Sequence, residues 1–392
     1  MRKIKVALIH NTIAPYRHPL FERLSRNVDL KVYYCSVKHS SHKWDLWPRV
    51  YDYKFKILPK ISLRTPTTEI SVNPSIVKEI IRDRPHVIIL SGYIYPTMWL
   101  AFGIGTILKI PIVYWTEGVR EPQSFLGLLT RPMRMFFIKE AKAIIVPGRL
   151  SRNYVVSMGA KKSKVFIAAN SINNDFFIGL SSKYKKNKER LKKELGVNKE
   201  KVVLYVGQLI ERKAVDYLLR AYGRLKQEHG EVALVIVGSG PLKDQLKYIC
   251  NANAISDVHF IESGLRIIDL IEYYSISDVF VLPTRMDVWG FVINEAMACG
   301  LTVISTKNAQ AAIEMIRQGE NGFVINDVDE EELYSTMNKL LSREELESMG
   351  KKSLETVTRG FDPSLMKERF IAAISYALSI SFERRKAIDN FR

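Results

Sequence analysis

The stretch PTRMDVWGFVINEAMACG, residues 283–300, sets Asp287 and Glu295 on either side of Gly290 beside an apolar run. Two carboxylates at the mouth of a helix can each accept from a pair of hydroxyls, such as a sugar or a ribose presents. One hydrogen bond to a charged group contributes about 1.5–3 kcal/mol, enough to set specificity. The helix is expected to begin near Gly290, so that its first backbone N–H groups favour a negative ligand group. Spacing alone also allows Glu295 to serve the helix dipole and Asp287 to cap the helix, and on spacing alone that plainer role is slightly ahead. Upstream, VLYVGQLIERKAVDYLLRA places Gly207 at a strand end and Arg212 and Lys213 just before the next helix. Two adjacent cations suit a diphosphate, although a basic turn is usually just solvated. VIVGSGPLKDQL supplies Gly238 and Gly240 after another strand, where a tight turn is the simpler reading. No GxGxxG fingerprint is present, and the first turn, IHNTIAPYRHPLF, lacks glycine.

Short β-rich runs alternate with helical patterns along the whole chain, and these position the groups above. KVALIH, DLKVYYC, HVIIL, PIVYW and AIIVPG read as strands in the first half, with HPLFERLSRN and NPSIVKEIIRDRP as helices. Asn73 or Ser75 is expected to cap the latter helix and Pro85 to end it. The alternation restarts after a polar basic stretch with KVVLYVG, VALVIVG, VHFIE, DVFVLPT and LTVIST as strands. Such alternation predicts parallel, doubly wound sheets. The expected division is 1–178, a basic linker over 179–200, 201–362, and a long helix over 363–392 that either closes the second domain or crosses back to the first.

Composition limits the function classes. A 392-residue chain that is 47% hydrophobic and 26% charged is globular and long enough for two cores. Three scattered cysteines, Cys35, Cys250 and Cys299, make neither a disulfide framework nor a zinc site, and read as reducing cytosol. The basic, apolar start MRKIKVALIHNT lacks a small-residue cleavage site and reads as a buried strand. Residues 86–108 carry no acidic or basic side chain except His86 and are long enough to span a bilayer, but SGY and Pro96 divide them into strand, turn and helix. The net charge of +18 favours an anionic partner. Much of the excess lies in KYKKNKERLKK, residues 183–193, where a solvated face is the plainer reading.

PTRMDVWGFVINEAMACGLTVIST resembles the signature of retaining glycosyltransferases of family 4, an acid and a Glu separated by seven residues before AMA-G. VGQLIERKAVDYLLRA is similar to that family's VGRL-x-x-x-KG segment, and VIVGSGPL to its GxGP turn. The resemblance covers most of the chain and is strongest over 142–325. It implies an α/β fold of the GT-B type, two Rossmann-like doubly wound domains facing across a cleft. The donor nucleotide-sugar would lie on the C-terminal domain and the acceptor on the N-terminal one. By motif position Glu295 would bind the ribose and Asp287 hydroxyls of the transferred sugar. Arg212 and Lys213 would balance the leaving diphosphate, assisted by Gly290 and Phe291, with Gly207 and Gly238 in the donor-binding set. The resemblance implies retention of anomeric configuration, no bound metal and no cofactor, because cations and helix N-termini supply the charge stabilisation. A subset of the family resembles APYR-x-P-L-F, which brings Asn11 and Arg17 towards diphosphate or acceptor. Glu117 stands where many relatives have His and is a contact to acceptor or donor sugar, or a general base. Departures from the pattern are Asp287 for Glu, Gln208 for Arg and Ala214 for Gly.

The expected activity is therefore transfer of a sugar from a nucleotide-sugar to a hydroxyl acceptor, such as a lipid-linked sugar or glycan precursor. A glycosidase using Asp287 and Glu295 fits badly, since its carboxylates must flank one sugar bond. A non-catalytic sugar-nucleotide or membrane binder of the same fold is the alternative. Nucleic acid is not expected, because charge alone suggests it and no recognition motif accompanies it. Residues 124–143, SFLGLLTRPMRMFFIKEAKA, mix large apolar residues with Arg131, Arg134 and Lys139. They read as a Rossmann helix's core face or as a surface for an anionic bilayer, which would place the protein in the cytoplasm, peripheral on the inner face of the membrane. The sequence leaves the oligomeric state open.

Overall fold

A computed structural model of the chain describes residues 3–37, 51–64, 69–119, 125–262, 264–342 and 345–389. It divides into two compact units, one formed by residues 1–170 with 363–392 and the other by 171–362.

In the first unit the strands are β1 (Lys5–Thr12), β2 (Asp29–Ser36), β3 (Lys54–Ile57), β4 (Ile61–Arg64), β5 (Glu69–Val72), β6 (Val87–Ser91), β7 (Ile112–Trp115), β8 (Ala143–Val146) and β9 (Val165–Ile167). Seven of them form a parallel sheet in the order β3-β2-β1-β6-β7-β8-β9, and β4 and β5 form a separate antiparallel hairpin. The order reverses direction between β1 and β6, which opens a crevice at the carboxyl ends of those two strands. Alternate residues of β1 serve different faces. Ala7 and Ile9 pack with helices Pro96–Ile107 and Arg131–Glu140, while Val6 and Leu8 pack with helix His18–Asn27 and the C-terminal helix. That last helix, Pro363–Asp389, belongs to this unit and lays Met366, Phe370, Ala373, Ile374 and Ala377 on the sheet at helical spacing. Phe370 meets the edge of Trp115 at 5.0 Å between ring centroids.

The second unit carries β10 (Lys201–Val206), β11 (Val232–Val237), β12 (Val258–Ile261), β13 (Val279–Leu282), β14 (Thr302–Thr306) and β15 (Gly322–Ile325). They form a parallel sheet ordered β12-β11-β10-β13-β14-β15, which reverses between β10 and β13. Every residue of β11 and β13 is buried, as expected where helices cover both faces.

Two local expectations give way to the structure. The stretch 179–200 is not a linker: it holds most of helix Asn174–Lys185 and all of helix Lys188–Glu194, both in the second unit. Phe177 just before that stretch and Val197 within it are buried, and Lys192 is buried with its ammonium donating to the Glu200 carbonyl at 2.8 Å. The basic run is thus packed chain, in which Lys192 buries its stem and brings its charge to a polar partner at the end. Nor does Asn73 or Ser75 cap helix Ser75–Asp83, whose N-cap is Pro74. The buried Asn73 amide instead donates to the carbonyls of Cys35, Leu58 and Pro59 at 3.1–3.2 Å, tying three chain segments together.

Candidate nucleotide-sugar site

Gly207 follows β10, and a 3-10 turn, Glu211–Lys213, leads to helix Val215–Glu228. The loop after β13 runs beside it. Arg285 N–H donates to the Arg212 carbonyl at 2.9 Å, and the Arg212 guanidinium donates to the Met286 carbonyl. The Lys213 ammonium pairs directly with Asp287 Oδ2, and Arg212 lies 3.8 Å from Asp287 Oδ1. Asp287 therefore does not cap the following helix. The N-cap of helix Phe291–Ala298 is Gly290, with no side-chain cap bond. Its φ of 97° is open to glycine at little cost, and it turns the chain so that the first helical turn meets the loop carrying Asp287. Trp289, buried beside it, donates from Nε1 to Asn294 Oδ1 at 2.8 Å and fixes the loop against the helix. The two loops leave the neighbouring strands β10 and β13, so both cations, Asp287 and the helix start stand at the unit's switch point.

Glu295 is the third residue group of this end. It lies one turn into the helix, and Tyr274 of helix Ile267–Ile276 donates its hydroxyl to Oε2 at 2.8 Å. Burial raises the Glu295 carboxyl from 4.5 to about 7, against the lowering effect of the Tyr274 bond. Tyr274 is fully buried, and nothing local in IEYYSI singles it out. Gly238 has a packing role: a Cβ there would stand 2.0 Å from the Gly207 carbonyl oxygen, so only glycine lets the turns after β10 and β11 meet. Ala214 sits in the left-handed region at φ 51°. Ala214→Gly is expected to raise the unfolding free energy by about 1 kcal/mol, as a higher denaturation midpoint, since the backbone strain at a Cβ-bearing residue is removed. An unchanged or lower midpoint would show that Ala214 is not strained.

The chain has relatives among known proteins. Residues 187–355 match the family model described as Glycosyl transferases group 1. The group 1 segment contains Gly207, Arg212, Lys213, Gly238, Asp287, Gly290, Phe291 and Glu295, hence the whole switch-point cluster of the second unit. The chain is 32% identical over 195 residues to spore coat protein SA of Bacillus subtilis, covering 47% of this chain and 51% of that one. It is 25% identical over 321 residues to the sulfoquinovosyl transferase SQD2 of Arabidopsis thaliana, covering 78% and 60%. The chain thus spans about half the length of the curated relatives it matches. Among solved structures, Anabaena Alr3699/HepE in complex with UDP and glucose superposes with a TM-score of 0.74 at 17% identity, over 95% of this chain and 99% of that one. The fold class is GT-B, α/β with two Rossmann-like units.

Asn11, Arg17 and Glu117 lie outside the group 1 segment, in the first unit. They line a cavity of about 320 Å³ with His10, Ser91 and Gly92, at the carboxyl ends of β1 and β6. Asn11 accepts the Thr12 N–H at 2.9 Å through Oδ1. Arg17 is buried and pairs with Glu117, and the two share Asn170 as a hydrogen-bond partner. Burial holds His10 well below the ordinary imidazole range, at about 3, so it is neutral at physiological pH. Asn170 is 53 residues from Glu117, and no local pattern announces it.

Proposed function

We propose that this protein is a retaining glycosyltransferase of family 4 that moves a sugar from a nucleotide-sugar to a hydroxyl acceptor, without a bound metal or cofactor. The observation that carries it is the meeting of Arg212, Lys213, Asp287 and the start of helix Phe291–Ala298 at the β10/β13 switch point, with Glu295 one turn further on. The bond from the anomeric carbon to the diphosphate oxygen breaks, and a bond to the acceptor oxygen forms on the same face. The acceptor's proton passes to the departing diphosphate oxygen on that same face, where negative charge grows as the bond breaks. Arg212, Lys213 and the helix N-terminus meet that charge. Asp287 accepts from hydroxyls of the sugar once Lys213 turns to the phosphate, and Glu295 accepts from the ribose. A thermal-shift screen against UDP-, GDP-, ADP- and dTDP-sugars tests this, with Glu295→Ala as control. UDP-sugars come first, because the Anabaena neighbour is described with UDP. A ligand at about 100 times its dissociation constant stabilises by roughly 2.7 kcal/mol. No shift with any donor would turn the reading towards a non-catalytic member of the fold.

The acceptor is lipid-linked in this reading, and the protein sits in the cytoplasm, peripheral on an anionic membrane face. Helix Arg131–Glu140 serves two surfaces: Arg134, Phe137 and Ile138 are buried, while Met133 and Phe136 are 37% and 42% exposed. Leu128 and Leu129 just before it, and Ile94 at the cavity rim, are exposed too. Phe136 stacks on Trp99 at 5.7 Å and tilts against Phe102 at 5.0 Å, so it is held outward rather than loosely placed. Arg131 and Lys139 on the same helix and the net charge of +18 suit anionic headgroups. Among the described residues no helix is long and apolar enough to cross a membrane. In flotation with phosphatidylglycerol vesicles the protein should rise with the lipid at low salt, and Phe136→Asp should leave most of it in the soluble fraction. Wild-type protein that stays soluble at low salt would dismiss the membrane part of the reading.

A further inference from the structure

β13 and β14 cease to pair as strands at Leu282 and Ser305, yet the chain segments that follow them stay tied. Thr306 donates its hydroxyl to the Thr284 carbonyl at 2.5 Å. The Asp287 N–H donates to the Asn308 carbonyl at 3.0 Å, and the Gln310 N–H points back at the Asp287 carbonyl at 3.4 Å, which makes an isolated parallel bridge between Asp287 and Ala309. Further on, the Ala311 N–H reaches the Trp289 carbonyl at 2.9 Å. The Val288 carbonyl, between these points, is met by a side chain instead: Gln310 donates to it from Nε2 at 3.2 Å. Gln310 opens helix Gln310–Met315 and is fully buried. An apolar side chain would fill that space without the cost of burying an amide, but it would strip the Val288 carbonyl of this donor.

We propose that Gln310 is a positioning residue for Asp287 and, through it, a determinant of which transferred sugar the protein accepts. The inference rests on the transferase reading, in which Asp287 accepts from hydroxyls of that sugar. In an aspartate χ1 alone sets where the carboxyl carbon stands relative to the backbone, so the place of the carboxylate follows the place of the loop closely. Lys213 and Arg212 hold the carboxylate end in the absence of donor, and that hold weakens when the two cations turn to a diphosphate. Backbone anchors must then keep Asp287 in place. Asn308 supplies one before the loop turns towards Gly290, and Gln310 supplies the next. The Val288 side chain is 39% exposed, so its packing adds little to them. Epimeric sugars differ in the direction of one hydroxyl, and a carboxylate that drifts by about an ångström no longer tells them apart.

Isothermal titration of the full chain compares the nucleotide that the thermal-shift screen selects, UDP first, with its glucose, galactose and mannose conjugates. Epimeric donors share the nucleotide, so the ratio of their dissociation constants isolates the sugar. Gln310→Met keeps the volume and removes the donor; it should lower that ratio about three- to tenfold while the free nucleotide binds within about twofold of wild type. Gln310→Asn keeps an amide one methylene short and should fall between the two, which guards against a methionine variant that does not fold. In Asp287→Ala, adding Gln310→Met should change the ratio no further, because the glutamine acts through a carboxylate that is gone. A glutamine that only stabilises the fold would leave the ratio alone, or lower it equally with and without Asp287. Either of those results, or a free nucleotide weakened as much as its sugar conjugates, would overturn the proposal and leave the transferase reading intact. A wild-type chain that binds no nucleotide and no conjugate would overturn both.

Discussion

Lys213→Ala is expected to lower the rate of sugar transfer by about 10²–10³-fold, the usual cost of removing one donor from charge that develops in the transition state. Lys213 is buried, with its ammonium already directed at the switch point by Asp287, so little reorganisation is needed when a diphosphate arrives. The substitution has a second effect, because Asp287 keeps only Arg212, at 3.8 Å, as a balancing cation. Lys213→Arg should recover part of the rate, since it restores the charge but brings a planar fork into a place shaped for an ammonium. The measurement is kcat with the donor found by the nucleotide screen. A rate unchanged by Lys213→Ala would remove Lys213 from charge balance and leave it as a structural partner of Asp287.

Donor affinity should climb as pH rises through about 7 and level off above it, and the step should vanish in Glu295→Ala. The ionised carboxylate is the form that accepts hydroxyls, and burial favours the neutral one, raising Glu295 from 4.5 to about 7. Binding below that value must release a proton, so affinity there changes by up to about tenfold per pH unit. The groups around Glu295 do not titrate in this window: Tyr274 is pushed well above 10, and burial lifts the Cys299 thiol to about 12. Glu295→Ala should also weaken the nucleotide about ten- to hundredfold at pH 8. The same shift has a signature without ligand. The folded protein holds this proton between 4.5 and about 7 where the unfolded chain has released it, so stability falls as pH rises through that window. Isothermal titration from pH 6 to 8 with the responding nucleotide-sugar, whose doubly esterified diphosphate does not titrate there, decides it, and a flat profile would mean that Glu295 is not the hydroxyl acceptor.

Elements whose partners lie close in sequence were the legible ones. HPLFERLSRN and IIDLIEYYSI fold as helices over those same residues, because their apolar spacing and flanking strands agree. Both sheets followed from the alternation of β-rich and helical runs. Nothing in the sequence pattern announces the hairpin of β4 and β5, two strands of only four residues each. Asn73 reads as a cap in sequence because its three carbonyl partners lie at Cys35, Leu58 and Pro59, which only the fold brings near. At the candidate site, Asp287 and Lys213 were each visible in a local pattern, but their ion pair joins positions 74 residues apart. Tyr274 and Asn170 carried no signal at all, since a residue that steadies another is defined by its partner.

The C-terminal helix gives the chain an order of assembly. Its residues Met366, Phe370, Ala373, Ile374 and Ala377 cover one face of the first unit's sheet, although 192 residues of the second unit, 171–362, are synthesised before them. On the ribosome the second unit can therefore finish folding while Val6, Leu8, Val113 and Trp115 of the first still await their cover. The first unit is closed by a stretch that emerges only after the whole second unit, so a nascent chain stalled after residue 362 would present a completed second unit beside a first unit with an open apolar face. That exposed face is where a chaperone would be expected to bind during synthesis.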